Sequence, residues 1–222
     1  MQTYLRYAIY AGLFGVLFIP FIVSGTMFFP FITGKAFVFR IVIEIIFALW
    51  IILALKDVSV RPKRSAVLFA ILGLIVSMGI STFLAENPSK SFWSNFERME
   101  GYVTLLHLGM FFVVISSVFK EVDWKRWWNT SLVASFFMVL FSILQLLGLA
   151  TINQGGVRVD GTLGNAIYLA VYMLFHIFVA TLFLWREWKS VALRWTYGLL
   201  ILAQTSILYY TATRGTILGL LG

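Results

Sequence analysis

The chain has 222 residues, of which 61% are hydrophobic, 18% aromatic and only 12% charged. Its mean hydropathy is +0.94. A soluble domain is about 45–50% apolar and about 25% charged, so a water-soluble fold and a disordered chain are both excluded, leaving a polytopic membrane protein. There is no cysteine, which removes disulfides, thiolate metal sites and cysteine nucleophiles. With only His107 and His176, no metal site and no cofactor are expected. The net charge of +8 reads as loop charge that sets topology, and nucleic acid is not an expected partner.

A spanning helix needs about 20 apolar residues. Apolar runs lie near 5–25, 37–55, 66–84, 102–119, 129–150, 166–185 and 195–212. An eighth starts at Thr216 and reaches only Gly222, so the sequence is expected to be the front part of a longer protein. The predicted fold is an all-α bundle of about seven spans with a truncated eighth, forming one transmembrane domain over 1–222. The first run is too long for a signal-peptide core and lacks a small-residue cleavage site.

Eleven cations fall on one side of the alternating loops: Arg6, Lys56, Arg61, Lys63, Arg64, Lys120, Lys125, Arg126, Arg186, Lys189 and Arg194. The other side has six: Lys35, Arg40, Lys90, Arg98, Arg158 and Arg214. Lys and Arg favour the cytoplasm, so the N-terminus is placed inside and loops 26–36, 85–101, 151–165 and 213–215 outside. Trp124, Trp127, Trp128, Trp185, Trp188 and Trp195 sit at the inner ends of spans as an interfacial belt.

The polar residues near the outer face carry the candidate chemistry. Loop 85–101 mixes aromatics with both signs of charge and reads as a short surface helix or a solvated connector. Loop 151–165 has four glycines over 155–165, and Asn165 stands at the N-cap of the next helix. Arg158 beside that helix start suits an anion, or it pairs with Asp160 in a glycine-rich turn. Arg214 lies between two apolar runs with no acidic residue near it in sequence. Its partner is another helix, a lipid headgroup or an anionic substrate. Within the spans, Arg40 and Glu44 are spaced as an i,i+4 pair that would neutralise itself. His107 faces an outer cavity or bonds a neighbouring carbonyl. His176, near the midplane, is expected to make a structural hydrogen bond, and Gln145 and Gln204 to link helices.

In the stretches from Arg158 to Asn165, from Thr211 to Thr216 and from Phe96 to Tyr102 the sequence resembles the O-antigen ligase and O-antigen polymerase-like membrane proteins. Arg158-Val159-Asp160-Gly161-Thr162-Leu163-Gly164-Asn165 is similar to their R-x-x-G-[ST]-x-G-N segment, although Ala166 stands where members often carry Pro. Thr211-Ala212-Thr213-Arg214-Gly215-Thr216 is similar to their later Arg-Gly turn. Phe96-Glu97-Arg98-Met99-Glu100-Gly101-Tyr102 resembles the outer loop before their fourth helix. The resemblance implies a bacterial inner-membrane glycan ligase or polymerase that moves a glycan from undecaprenyl diphosphate to an acceptor hydroxyl. The implied partners are that lipid-linked glycan, a glycan, lipid or protein acceptor, and membrane lipid. Arg158, Arg214, Arg98 and Asn165 become the expected substrate-binding residues. The general base is expected beyond Gly222, so the stretch alone is expected to be inactive. On this reading Arg158 and Arg214 meet at one outward cavity, with Asp160 and Glu100 as the candidate carboxylates to offset their repulsion. The alternative class is a transporter or flippase-like protein binding an anionic solute. It would place ionisable groups along a path through the midplane.

Overall fold

The computed structural model describes residues 2–95, 98–153 and 157–221. Among them there is no strand, and the protein is an all-α bundle. The helices are α1 (Gln2–Gly15), α2 (Thr33–Lys56), α3 (Ala66–Phe83), α4 (Pro88–Trp93), α5 (Tyr102–Val118), α6 (Glu121–Leu146), α7 (Ala166–Arg186), α8 (Val191–Tyr210) and α9 (Arg214–Leu221). A 3-10 turn, Val16–Phe21, continues α1 and contains Pro20, whose missing N–H ends the helix. Counting that extension, six segments are long and apolar enough to cross a membrane. The seventh apolar helix, α5, has 17 residues and is shorter. The segments fall where the apolar runs lie, but α6 starts at Glu121 rather than near 129. Its first turns carry Glu121 and Asp123, which suit the positive helix start, so the helix extends beyond its apolar part.

Side-chain caps set several starts. Ser65 Oγ accepts from Leu68 N before α3, Asn87 Oδ1 from Lys90 N before α4, and Ser190 Oγ from Leu193 N before α8. The short helix expected within 85–101 is α4.

The chain forms two compact units, 1–124 and 125–222, divided near the start of α6. In the first, α1 packs on α2, α2 on α5, and α3 and α4 on α5. Ile9, Leu13, Ile43, Ile46, Leu53 and Val114 are buried there. Two glycines let helices approach: a Cβ on Gly12 would lie 2.3 Å from Ile46 Cγ2, and one on Gly109 2.3 Å from Ile75 Cδ1. Arg6 bonds Asp57 at 2.6 Å, holding the start of α1 to the α2–α3 loop. At the opposite end of α2, Arg40 Nη2 donates to the Met99 carbonyl and, at 3.0 Å, to Thr104 Oγ1. Within this unit, these contacts hold successive loops at opposite ends of α2.

In the second unit α7 and α8 form an antiparallel hairpin, with Leu132, Ala180, Phe183 and Tyr197 packed together. At one end Lys125 pairs with Glu187, and Tyr197 donates to Asn129 Oδ1 at 2.7 Å. Trp185, Trp188 and Trp195 are exposed there, whereas Trp127 is buried and does not serve as a surface anchor. His176 makes the structural bond its depth implies: Nδ1 donates to Tyr172 O at 2.7 Å, leaving Nε2 to accept from Ser131 Oγ at 2.9 Å. Gln204 Nε2 donates to Ser135 Oγ at 2.8 Å and links α8 to α6.

Candidate functional site

The other end of the second unit carries the sequence-marked loop. Its organiser is Gln145, in the last turn of α6, whose amide is fully used. Nε2 donates to Thr151 O at 2.8 Å and to Asp160 Oδ1 at 2.7 Å, and Oε1 accepts from Gly161 N at 2.8 Å. Asp160 is fully buried and takes a second bond, from Asn153 N at 2.9 Å. These bonds fold the loop back on the helix that precedes it. Gly161 has φ +57°, and a Cβ there would stand 3.0 Å from Met138 Sδ, so the turn needs glycine. Gly164 follows at φ +65°, and Asn165 then caps α7 by accepting from Ile167 N at 2.8 Å.

Arg158 reaches from this loop to the end of α8. Nε donates to Thr211 O at 2.8 Å, and Nη2 to Thr213 Oγ1 at 3.0 Å. Val159 N also points to Tyr210 O, at 3.4 Å. The turn so gripped contains Ala212 at φ +49°, and Arg214 follows as the first residue of α9. Arg214 is exposed and makes no ion pair among the described residues. A guanidinium has five N–H donors, so the two bonds of Arg158 leave three for a ligand. Loop and turn thus place Arg158 against the residue next to Arg214, at one end of one unit.

Several expectations change. Arg158 does not pair with Asp160, because Gln145 and Asn153 occupy that carboxylate and the arginine takes the α8 carbonyl instead. Gln145 links a helix to a loop rather than two helices. Asn165, by contrast, caps α7 as its place in the sequence predicts. Arg98 is exposed in the first unit, as is Glu100. Gln154, Gly155 and Gly156 of the loop, and Phe96 and Glu97 of the third segment, lie outside the described residues. Thr211 and Thr213 were visible in the sequence only as neighbours of Arg214.

A second polar group sits inside the first unit. His107 Nδ1 donates to Val103 O at 2.7 Å, so that nitrogen carries a proton. Its Nε2 faces Glu44 Oε1 at 3.0 Å, within hydrogen-bond distance. Arg40 and Glu44, expected to pair with each other along α2, instead turn to different partners on or before α5. The reason is that Thr104 and His107 offer polar groups across the helix contact. Among the described residues no group of three or more His, Cys, Asp or Glu is placed to hold a metal.

By length and composition, these apolar helices make a membrane span for the chain several times over. It is a multi-pass membrane protein. No known protein family, curated protein or solved structure matches it.

Proposed function

We propose that this chain acts at the outer face of a bacterial inner membrane as part of a glycan ligase or polymerase. Its substrate would be a glycan on undecaprenyl diphosphate, and its acceptor a hydroxyl group. The observation that carries the reading is the grip of Arg158 on Thr211 and Thr213, which holds its guanidinium against the residue that precedes Arg214 in the chain. In the reaction the bond between the sugar anomeric carbon and the diphosphate oxygen breaks, and the acceptor oxygen bonds to that carbon. The diphosphate departs with the bonding electrons, and the acceptor proton passes to a base.

Negative charge grows on the leaving group, and fixed guanidinium groups stabilise it without reorganising. Arg stays charged and binds phosphate with two parallel N–H bonds. The neighbouring carboxylate of Asp160 does not compete, because Gln145 and Asn153 hold it in the loop. Proton removal falls to a group outside this constellation, since His176 is spent on Ser131 and Tyr172. The resemblance in 158–165 and 211–216 supports the same assignment. The Glu44–His107 pair, between the apolar helices α2 and α5, is the observation that favours the alternative of a transporter or flippase-like protein.

The test is glycan transfer in cells that depend on the gene. Arg214→Ala should abolish transfer with little loss of membrane-inserted protein. Arg214→Lys should restore part, because an ammonium lacks the fork. Normal transfer by Arg214→Ala would end the ligase reading. Accumulation of an anionic solute that depends on the gene, without transfer, would favour the transporter. Orientation is tested by single cysteines: one at Ser89 should react with an impermeant thiol reagent in intact cells, and one at Ser59 should not.

A further inference from the structure

The first unit holds a cavity of about 600 Å³ between α3, α4 and α5, lined by residues of that unit. That volume lies within the range of about 300–1,000 Å³ typical of small-ligand sites. Its walls are fixed by close backbone contacts. A Cβ on Gly101 would lie 2.3 Å from the Phe92 carbonyl oxygen, so α4 ends directly against the start of α5. Tyr102 OH donates to Ile75 O at 2.9 Å, passing over Gly79, where a Cβ would stand 2.6 Å from the phenol oxygen. The cavity is therefore formed before any ligand arrives, which lowers the ordering cost of binding.

Its chemistry is divided. Ser81, Ser91, Ser94 and Lys90 line it, and none of their side chains makes a hydrogen bond or ion pair among the described residues. They offer an ammonium and three hydroxyls. Glu100 also lines it and makes no ion pair; Arg40 attracts it through space but bonds Met99 and Thr104. The remaining wall is apolar. Met78 of α3 and Leu108 of α5 are 47% and 48% exposed, each within a turn or two of the helix end nearest α4. On an apolar helix of a membrane protein, such exposure faces acyl chains or another apolar surface.

A ligand matched to these walls carries an anion, a cation with N–H donors and an apolar tail. We propose that the cavity binds the headgroup of an amine-bearing zwitterionic phospholipid. The phosphate meets Lys90 and the serine hydroxyls, the ammonium meets Glu100, and the acyl chains leave along Met78 and Leu108. A quaternary amine lacks the N–H donors that Glu100 accepts from, and an anionic headgroup would meet Glu100 with like charge.

The full-length chain, purified and exchanged into equal parts phosphatidylethanolamine, phosphatidylcholine and phosphatidylglycerol, is stripped progressively while retained lipid is read by native mass spectrometry. Phosphatidylethanolamine should be retained over each of the others by roughly threefold to fivefold, the scale of a partly exposed ion pair. Glu100→Gln should bring phosphatidylethanolamine level with phosphatidylcholine and raise phosphatidylglycerol. Lys90→Gln should lower all three. Ala85→Trp, which fills the cavity and leaves both charges, should remove the retained lipid without changing helical content by circular dichroism. Glu86→Gln, on the same loop but outside the cavity, should behave as the parent. Equal retention of the three lipids, a preference for phosphatidylglycerol, or an unchanged preference in Glu100→Gln and Ala85→Trp would each overturn the proposal. None of these readouts depends on glycan transfer.

Discussion

Arg158 and Thr211 are joined by a 2.8 Å bond from a guanidinium Nε to a main-chain carbonyl, 53 residues along the chain. The bond ties the loop after α6 to the end of α8. Arg158→Ala should therefore loosen the turn as well as remove a cation. A hydrogen bond from a charged donor contributes about 1.5–3 kcal/mol, so thermal unfolding in detergent should fall measurably. Thr213→Val removes the second bond, together with the 3.3 Å bond from Thr213 Oγ1 to Thr211 O, and should cost about 1 kcal/mol. If both variants unfold with the parent, the brace has no energetic weight.

Glu44 of α2 and His107 of α5 meet at 3.0 Å. His107→Leu takes from Glu44 its hydrogen-bond partner and leaves it only the through-space attraction of Arg40, and the cost should be on the order of 2–3 kcal/mol in lipid. Glu44→Gln keeps a donor for Nε2 and should be nearly neutral. The double variant, Glu44→Leu with His107→Leu, should recover much of the loss, because neither polar group is then stranded. Unfolding in bicelles, compared across the three variants, measures this.

Gly12 and Gly109 look alike on distance but differ in what they meet. Gly12 abuts Ile46 Cγ2, a branched atom close to the backbone, while Gly109 abuts the terminal Cδ1 of Ile75. An alanine gains up to about 1 kcal/mol of helix propensity over glycine. At Gly109 the Ile75 tip can rotate away, so Gly109→Ala should be neutral or stabilising. At Gly12 overpacking of about 1–3 kcal/mol should win. A Gly12→Ala protein as stable as the parent would show that α1 shifts freely on α2.

Asp57 supplies the pH prediction. Hydrogen bonds from Ser59 and Arg6 hold its carboxyl down to about 2. A model-peptide Asp titrates at about 3.9. Because the folded value is the lower, this group's stabilising contribution is fully present above about pH 4. It is lost as pH falls toward 2. Asp57→Asn should flatten stability against pH between 4 and 2 and leave the profile above pH 5 unchanged in shape. A parallel loss in parent and variant would assign acid lability elsewhere.

The helices were legible because twenty-residue apolar runs leave little choice in a membrane, where every backbone group must bond within its own segment. The start at Asn165 was legible from its side chain, whereas the caps at Ser65 and Ser190 came only with the structure. Harder to read were the partners of polar residues within the spans. Arg40 and Glu44 satisfy the local spacing rule, yet both face groups on or before α5 that are about sixty residues away. No sequence spacing announces which helix lies alongside. Arg158 misled in the same way: Asp160 is two positions off and is already held by Gln145. Local spacing identified the residues that matter and left their pairing to the packing.

Ala212 sits at φ +49° between the two threonines that Arg158 holds. A side-chain-bearing residue in that conformation costs on the order of 1–2 kcal/mol, and it persists only where its surroundings impose it. The arginine is thus the latch on a sprung joint between α8 and α9. Because the guanidinium stays on Thr211 and Thr213, it holds the heading of the first turn of α9, with Arg214 at its head. The position of one cation and the direction of the helix that starts with the other are a single mechanical variable.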